Sequence, residues 1–154
     1  MAGLKVGDKA PEFSGINEKN EPVSLSDFKG RKLVLFFYPK ANTPGCTAEA
    51  CSLRDHYAEL REKGFEMLGV SPDSAKKQQN FIDKFEFPFH LLADNDKEVV
   101  EQYGVWGLKK FMGKEYMGVL RTTFVIDENG VIERIFDKVK TKEHAEQILE
   151  SYSE

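Results

Sequence analysis

The segment Lys32-Leu-Val-Leu-Phe-Phe-Tyr38, closed by Pro39, decides the fold class that this sequence predicts. A continuous apolar run of this kind is typical of a strand that is buried on both faces, as parallel strands under helices are. The loop Lys40-Ala-Asn-Thr-Pro-Gly-Cys46 comes next and leads into a helix. A strand, a short loop and a helix in this order indicate an α/β protein.

The helix after this loop has sequence signals at both ends. Thr43 can cap it, Pro44 suits its first position, and Gly64 suits the position that follows its last turn. Between these ends, apolar or small residues recur at helical spacing and predict the buried face. They are Cys46, Ala50, Leu53, Tyr57 and Leu60.

The rest of the chain alternates between strand and helix patterns after an irregular first thirty residues. We predict strands over 65–70 and 89–92, helices from Ser71 or Asp73 to 85, over 97–103 and over 141–152, and a hairpin of 120–126 with 131–136 around Asn129-Gly130. Together these elements predict a mixed central β-sheet with helices on both faces, in a single domain over 1–154.

Composition excludes several classes of function. The 154 residues include 22 Lys and Arg against 26 Asp and Glu, a net charge of −4, so we expect no binding to nucleic acid or to an anionic membrane. No apolar run approaches the ~20 residues of a membrane helix. The start of the chain has no signal-peptide pattern, and we therefore expect a cytoplasmic protein.

The two cysteines, Cys46 and Cys51, are too few for a disulfide-stapled scaffold or a four-thiolate zinc site. In a reducing compartment a lasting structural disulfide is disfavoured, which favours a redox or catalytic role. Cys46 lies in the first turn of the predicted helix, where free N–H groups and the helix dipole stabilise a thiolate. By position alone, Cys46 could equally be a small buried apolar residue.

The spacing of the two cysteines restricts what they can do. Five residues of helix give a rise of ~7.5 Å and a rotation of ~140°, which places the Cβ atoms on the order of 10 Å apart. A disulfide needs these atoms about 3.8 Å apart, so the helix must unwind before Cys46 and Cys51 can bond. Cys51 lies off the predicted apolar face, beside Thr47 and Arg54, and could also be an unrelated surface cysteine.

The segment around the two cysteines resembles part of a known protein family. The segment Phe37-Tyr-Pro-Lys-Ala-Asn-Thr-Pro-Gly-Cys-Thr-Ala-Glu-Ala-Cys-Ser-Leu-Arg-Asp55 resembles the active-site segment of peroxiredoxins of the Q type, also called bacterioferritin comigratory proteins. The family pattern Pro-x-x-x-Thr-x-x-Cys falls on Pro39, Thr43 and Cys46, and the second cysteine of the Q type falls on Cys51. The similarity runs from Gly7 through the predicted hairpin and includes the segments 103–113 and 121–127.

The resemblance implies a thioredoxin-like fold and a cysteine-based peroxidase in which Cys46 is the peroxidatic nucleophile. Arg121 would donate hydrogen bonds to the thiolate and the peroxide, although without the resemblance it is an ordinary surface charge. Thr43 would offer its hydroxyl to the peroxide or serve only as the helix cap. Pro39 would wall the pocket, and Glu49 would orient Arg121.

The resemblance also implies a catalytic cycle. Hydrogen peroxide and alkyl hydroperoxides would oxidise Cys46 to a sulfenic acid, and Cys51 would resolve it as a Cys46–Cys51 disulfide. Thioredoxin is the reductant that the family implies, and no metal, flavin or haem is needed. The family includes monomers and dimers, so we expect a monomer or a weak dimer.

Two other interpretations stay open on the sequence. A thioredoxin-like disulfide reductase is disfavoured because that chemistry uses Cys-x-x-Cys, whereas this spacing is Cys-x-x-x-x-Cys. A binding module with incidental thiols is the non-enzymatic alternative. The histidines are scattered at His56, His90 and His144, and none is assigned to the thiol site. Trp106 and the segment 109–111 are interpreted as loop packing near the site.

Overall fold

Strands and helices alternate along residues 4–152, which the computed structural model describes, with only the backbone described at Phe111. The nine strands of this region are β1 (Ser14–Ile16), β2 (Pro22–Ser24), β3 (Lys32–Phe37), β4 (Phe65–Ser71), β5 (His90–Ala93), β6 (Trp106–Phe111), β7 (Lys114–Val119), β8 (Thr122–Ile126) and β9 (Ile132–Phe136). Its five α-helices are α1 (Pro44–Asp55), α2 (Tyr57–Glu62), α3 (Ala75–Phe85), α4 (Glu98–Gln102) and α5 (His144–Glu150). The ends of the predicted domain, 1–3 and 153–154, lie outside the described residues.

The central sheet has the strand order β5-β4-β3-β8-β9. β3 and β5 each pair with β4 in parallel, while β8 pairs antiparallel with both β3 and β9. The mixed sheet that the sequence predicts is therefore confirmed. Phe37, the last residue of β3, lies opposite Thr122, the first residue of β8. This register brings the loop after β3 and the residue before β8 to the same edge of the sheet.

Alternation along β3 separates two apolar clusters, one on each face of the sheet. Leu33, Leu35 and Phe37 belong to the first cluster, which also contains residues of α4. Val34 and Phe36 belong to the second cluster, which is covered by α1, α2, α3 and α5. The prediction of helices on both faces is confirmed, with most of the helices on the second face.

The long helix predicted after the cysteine loop is interrupted at His56. Its backbone leaves the helical region there, with φ −111° and ψ 14°. The ring atom Nδ1 of His56 lies 3.1 Å from the carbonyl oxygen of Ser52, within hydrogen-bond distance of an acceptor in the last turn of α1. α1 therefore ends at Asp55 and a second short helix continues to Glu62.

The start of α3 differs from the prediction. Ser74 caps this helix by accepting a hydrogen bond from the backbone N–H of Lys77 at 3.3 Å. The two residues predicted to open it are occupied elsewhere, since the hydroxyl of Ser71 donates to Asp73 at 2.6 Å and Asp73 accepts from the N–H of Ala41 at 2.8 Å. Asp73 thus secures the loop that precedes α1.

Two hairpins appear where the sequence predicted irregular chain. β1 pairs with β2, and β6 pairs with β7 through a two-residue turn of Met112 and Gly113. Both turn residues have positive φ, of 51° and 79°, which is the geometry of a type I′ turn. The interpretation of 109–111 as a loop was wrong, because a methionine in this conformation gives no turn signal, but Lys109 interacts electrostatically with Cys46, which confirms the predicted position near the site. The hairpin predicted around Asn129-Gly130 is confirmed as β8 and β9.

The last helix is shorter than predicted. A 3-10 turn over Thr141–Glu143 precedes α5, which begins at His144. Within residues 4–152, no helix is both long and apolar enough to cross a membrane.

Candidate active site

The first turn of α1 holds Cys46 at the edge of the sheet where β3 ends. The thiol is buried, with 2% of the residue exposed. The first N–H groups of a helix have no acceptor within the helix. The side chain of Thr43 does not cap them, contrary to prediction, because its hydroxyl donates to the carbonyl of Lys40 at 2.9 Å. The start of α1 therefore keeps N–H donors that can serve a ligand.

Arg121, just before β8, reaches Cys46 from the neighbouring strand end. Its Nη2 atom donates to Sγ of Cys46 at 3.3 Å, and its Nη1 atom donates to Oε1 of Glu49 at 2.6 Å. Gly45 permits this approach, since a Cβ atom there would lie 3.2 Å from Nη2. The sequence-predicted residues Cys46, Arg121 and Glu49 thus form one contiguous group.

The charges of this group depend on burial. Glu49 is fully buried, and burial raises its pKa to about 7 even though the charge and hydrogen bond of Arg121 act to lower it. For Arg121, burial acts to lower the pKa, but Glu49 and Cys46 outweigh it and raise the pKa. The guanidinium therefore remains a cation beside the thiol.

Pro39 and Thr43 belong to the loop between β3 and α1, and both are half-buried. The loop is tied to the end of β4, because the N–H of Tyr38 donates to the carbonyl of Val70 at 3.0 Å. The proton of the Thr43 hydroxyl is already donated to Lys40, so this oxygen is available as an acceptor.

Cys51 lies in the same helix as Cys46, and both thiols are free. It is half-buried and packs against the second apolar cluster, so it is less exposed than its predicted position off the apolar face suggested. Burial raises the pKa of Cys51, Asp55 raises it further, and Arg54 acts to lower it. Both cysteines lie on uninterrupted helix, so the sequence-based separation on the order of 10 Å applies to the folded protein.

Sequence reasoning did not assign His144 to this group, and it placed Lys109 near the group only as packing. His144 is fully buried, with Nε2 3.7 Å from Oε2 of Glu49. Lys109 of β6 donates to the carbonyl of Val119 at 3.0 Å and interacts electrostatically with Arg121 and Cys46. Neither residue is near Cys46 in sequence, and only Lys109 lies in a segment, 103–113, that carries the family resemblance.

A cavity of about 560 Å³ opens at the opposite end of the sheet. Its lining includes Phe28, Arg31, Leu33 and Asp127, and neither cysteine. Within the described part of the chain, no group of three His, Cys, Asp or Glu side chains is placed to hold a metal ion. The group of Cys46, Arg121 and Glu49 therefore lies at the other end of the sheet from this cavity.

Comparison with known proteins gives consistent matches. Residues 6–135 match the model of the AhpC/TSA family. A putative peroxiredoxin bcp of Haemophilus influenzae is 51% identical over 150 residues, which cover 97% of this chain and 97% of that protein. Peroxiredoxin Bcp of Escherichia coli strain K12 is 48% identical over 149 residues, covering 97% of this chain and 96% of that protein.

A solved structure is also similar. The bacterioferritin comigratory protein of Xanthomonas campestris, a protein with alkyl peroxide reduction activity, matches with a TM-score of 0.84 and 32% identity. The match covers 90% of this chain and 88% of that chain. It confirms the thioredoxin-like fold that the sequence predicts.

Proposed function

The chain belongs to the AhpC/TSA family and is a peroxiredoxin, and from this premise we propose that Cys46 is its peroxidatic thiolate and Cys51 its resolving thiol. The relatives named peroxiredoxin Bcp confirm the family resemblance of the sequence. The proposed substrates are hydrogen peroxide and organic hydroperoxides. The proposed physiological role is antioxidant defence.

The contact between Arg121 and Cys46, at 3.3 Å, is the observation that carries this proposal. In the first step the thiolate attacks the terminal oxygen of R–O–OH, an S–O bond forms and the O–O bond breaks. The sulfur becomes a sulfenic acid, and the leaving alkoxide takes up a proton to give ROH. A fixed cation beside the sulfur stabilises both the thiolate and the negative charge that develops on the leaving oxygen.

The edges of the site offer complementary contacts to a peroxide. The hydroxyl oxygen of Thr43 can accept a hydrogen bond from the peroxide O–H, because its own proton is donated to Lys40. The free N–H groups at the start of α1 can donate to the peroxide oxygens. The N–H groups of Arg121 that are not donated to Cys46 or Glu49 can do the same. Pro39 has no N–H and would wall the pocket, which limits further oxidation of the sulfur.

The second step joins the two cysteines. The thiol of Cys51 attacks the sulfenic sulfur of Cys46, a disulfide forms and water leaves. Since an intact α1 holds the two sulfur-bearing carbons too far apart for a disulfide, the first turns of α1 must unwind for this step. A dithiol then reduces the disulfide, and we propose thioredoxin in the cytoplasm as that reductant, acting on a monomer or a weak dimer.

Mass spectrometry of the full chain tests the whole proposal. After one equivalent of hydrogen peroxide, we expect the reduced protein to lose two hydrogens and to give a peptide pair linked through Cys46 and Cys51. The Cys51→Ser variant should instead stop at the sulfenic acid, which a dimedone-type reagent traps on Cys46.

Matched reductants and variants separate the parts of the proposal. Cys46→Ser should consume no peroxide, and thioredoxin with its reductase should restore both thiols of the oxidised wild-type chain. Peroxide consumption that persists in Cys46→Ser would contradict the nucleophile. A disulfide between two chains, in place of one within the chain, would contradict the assignment of Cys51.

A further inference from the structure

Behind Arg121 lies a buried titratable pair that the reaction steps above do not use. Glu49 on α1 and His144 at the start of α5 are both fully buried. Oε1 of Glu49 accepts from Arg121, and Oε2 faces Nε2 of His144 at 3.7 Å. His144 in turn contacts Thr123 of β8, whose hydroxyl lies 2.8 Å from Nε2. The contacts therefore run from the thiol of Cys46 into the core of the protein.

The hydrogen bonds of His144 define where its proton lies. Nδ1 lies 2.9 Å from Oε1 of Gln147, and the amide nitrogen of Gln147 donates to the carbonyl of Lys138. Oε1 of Gln147 is therefore an acceptor, and Nδ1 carries the ring proton. In the neutral ring, Nε2 is then an acceptor that receives the hydroxyl of Thr123.

This arrangement leaves Oε2 of Glu49 without a donor. Among residues 4–152, it is a buried side-chain oxygen with no hydrogen-bond partner. A carboxylate oxygen that is buried without a donor is costly, because burial removes its solvation and nothing replaces it. A proton on Oε2 removes this cost by neutralising the oxygen, and it can be shared with Nε2 only where the hydroxyl of Thr123 does not occupy that lone pair.

We propose that Glu49 and His144 together hold one buried proton, and that His144 is a positioning residue that sets the charge of Glu49 and so the availability of Arg121 to the peroxide. The proposal rests on the proposed function of Cys46. When Glu49 is protonated, the charge of Arg121 acts on the thiolate and the leaving oxygen alone. When Glu49 is ionised, its carboxylate neutralises part of that charge and adds a negative charge to the site.

The direction of both pKa shifts agrees with this placement of the proton. Burial raises the pKa of Glu49 to about 7, against the effect of Arg121. Burial lowers the pKa of His144 to about 4, Gln147 acts to raise it, and Arg121 lowers it further. The proton therefore resides on Glu49 below neutral pH, and the ring of His144 stays neutral.

Few other charges face the pair. Arg121 faces Glu49 directly and also contacts Cys46, while Lys109 of β6 interacts electrostatically with Arg121 and Cys46. The side chain of Glu146 on α5 contacts Ser52 and His56. The other neighbouring ionisable groups are the neutral Tyr38 after β3, which interacts with Cys46, and the exposed Lys142 and Glu143 of the 3-10 turn before α5. The titration near neutral pH is therefore assigned to Glu49.

The test is the pH dependence of peroxide attack in the Cys51→Ser background, where Cys46 is the one thiol. The second-order rate constant is divided by the thiolate fraction, which is followed by ultraviolet absorbance at each pH. We expect this corrected rate constant to fall by about tenfold as Glu49 ionises near neutral pH, because Arg121 is then partly neutralised. Glu49→Gln should remove the fall.

Variants of His144 and Thr123 should shift the pH at which the corrected rate constant falls, and they should shift it in opposite directions. His144→Gln supplies an amide N–H to Oε2, stabilises the carboxylate and should lower the inflection by about one pH unit. Thr123→Val removes the hydroxyl from Nε2, frees that lone pair for the proton of Glu49 and should raise the inflection. Ser52→Ala is the matched control, because it loses the contact between α1 and the N–H of Ala145 without touching Glu49.

The outcomes separate this proposal from the proposed function. An inflection that neither His144→Gln nor Thr123→Val moves, or that Ser52→Ala moves equally, would overturn the role of His144. If His144→Gln does not fold, the upward shift in Thr123→Val decides the matter alone. If the Cys51→Ser protein shows no attack at any pH, the proposed function of Cys46 is wrong.

Discussion

The two cysteines of α1 lie in contrasting surroundings although they share one helix. Cys46, in the first turn, contacts the Arg121 guanidinium, which is itself bonded to the buried Glu49. Cys51, one and a half turns later, packs against apolar side chains, and burial raises its pKa. The first thiol contacts a cation, whereas burial opposes a negative charge on the second although Arg54 acts to favour one.

Under the proposed function, this contrast suits the two thiols to successive steps of the reaction. On that proposal, the contact with Arg121 suits Cys46 to the attack on peroxide in the folded helix, and the raised pKa of Cys51 favours its protonated form before the helix opens. A thiolate at Cys51 in the folded state would offer a second site of oxidation. If Cys51 is the resolving thiol, as proposed, its burial protects it from oxidation in the folded state.

Replacing each cysteine in turn should give the largest contrast. We expect Cys46→Ser to abolish peroxide consumption, and Cys51→Ser to keep the first attack but to stop the thioredoxin-coupled cycle after one turnover. Stopped-flow measurement of the first turnover, set beside a steady-state assay, distinguishes the two. Equal loss of the first turnover in both variants would show that Cys46 and Cys51 do not act in separate steps.

Arg121 should account for the next largest effect. Arg121→Met removes the hydrogen bond to the thiol and the charge that stabilises the leaving oxygen, and it should slow the attack by about 100- to 1,000-fold. Arg121→Lys keeps the charge but loses the planar fork, so it should lie between that variant and the wild type. A rate in Arg121→Met within threefold of wild type would remove Arg121 from the site.

Much of the site could be predicted because its key signals are local. The apolar run of β3 and Pro44 are readable from adjacent residues, and they place Cys46 in the first turn of a helix. Arg121 could be assigned only through the family resemblance, since it lies 75 positions from Cys46 and nothing in its own segment marks it. The pairing of β3 with β8 supplies the contact.

The missed features depend on tertiary contacts or on uncommon backbone geometry. His144 reads as an ordinary helix residue until the docking of α5 places it beside Glu49. The turn of β6 and β7 has Met112 at positive φ, where the usual signal is asparagine or glycine. The break at His56 depends on a ring nitrogen near the carbonyl of Ser52, which competes with helical hydrogen bonds.

Formation of the Cys46–Cys51 disulfide should unwind the first turns of α1. We expect amide hydrogen exchange between Thr43 and Leu53 to accelerate by at least about tenfold when the Cys46–Cys51 disulfide forms, with a loss of helical circular dichroism. The central strand β3 is the internal reference and should keep its protection. An oxidised protein with unchanged exchange across α1 would contradict the unwinding, because the helix geometry forbids the bond.

A smaller effect is expected from the glycine under Arg121. In Gly45→Ala the new methyl group lies 3.2 Å from Nη2, close enough to displace the end of a flexible side chain by a few tenths of an ångström. We expect peroxide attack to slow by several-fold, roughly the loss of one well-placed hydrogen bond. Ala48→Ser, on the same helix but not under Arg121, controls for altered helix stability. Equal slowing in both variants would assign the effect to the helix.

The smallest effect is expected in the wild type itself, where two buried groups at the Cys46 end of α1 oppose each other in the dependence of stability on pH. The pKa of Glu49 in the folded protein, about 7, lies above its ordinary 4.5. The contribution of Glu49 to the free energy of unfolding of the reduced protein therefore falls as pH rises between those values. The folded pKa of His144, about 4, lies below its ordinary 6.5, so this group gains stability as pH rises between those values.

Urea unfolding of single variants from pH 4 to 7 should separate the two opposing effects of pH on the free energy of unfolding. Relative to wild type, Glu49→Gln should gain on the order of 3 kcal/mol as pH rises, because it lacks the group whose ionisation is costly. His144→Phe should lose stability relative to wild type over the same range, because it lacks the ring that is protonated only on unfolding. Other carboxylates contribute equally to both members of each pair and cancel in the difference. Parallel curves for Glu49→Gln and wild type would mean that Glu49 has the same pKa in the folded and the unfolded protein, so that it is ionised at neutral pH and adds a negative charge at the end of α1 that holds Cys46.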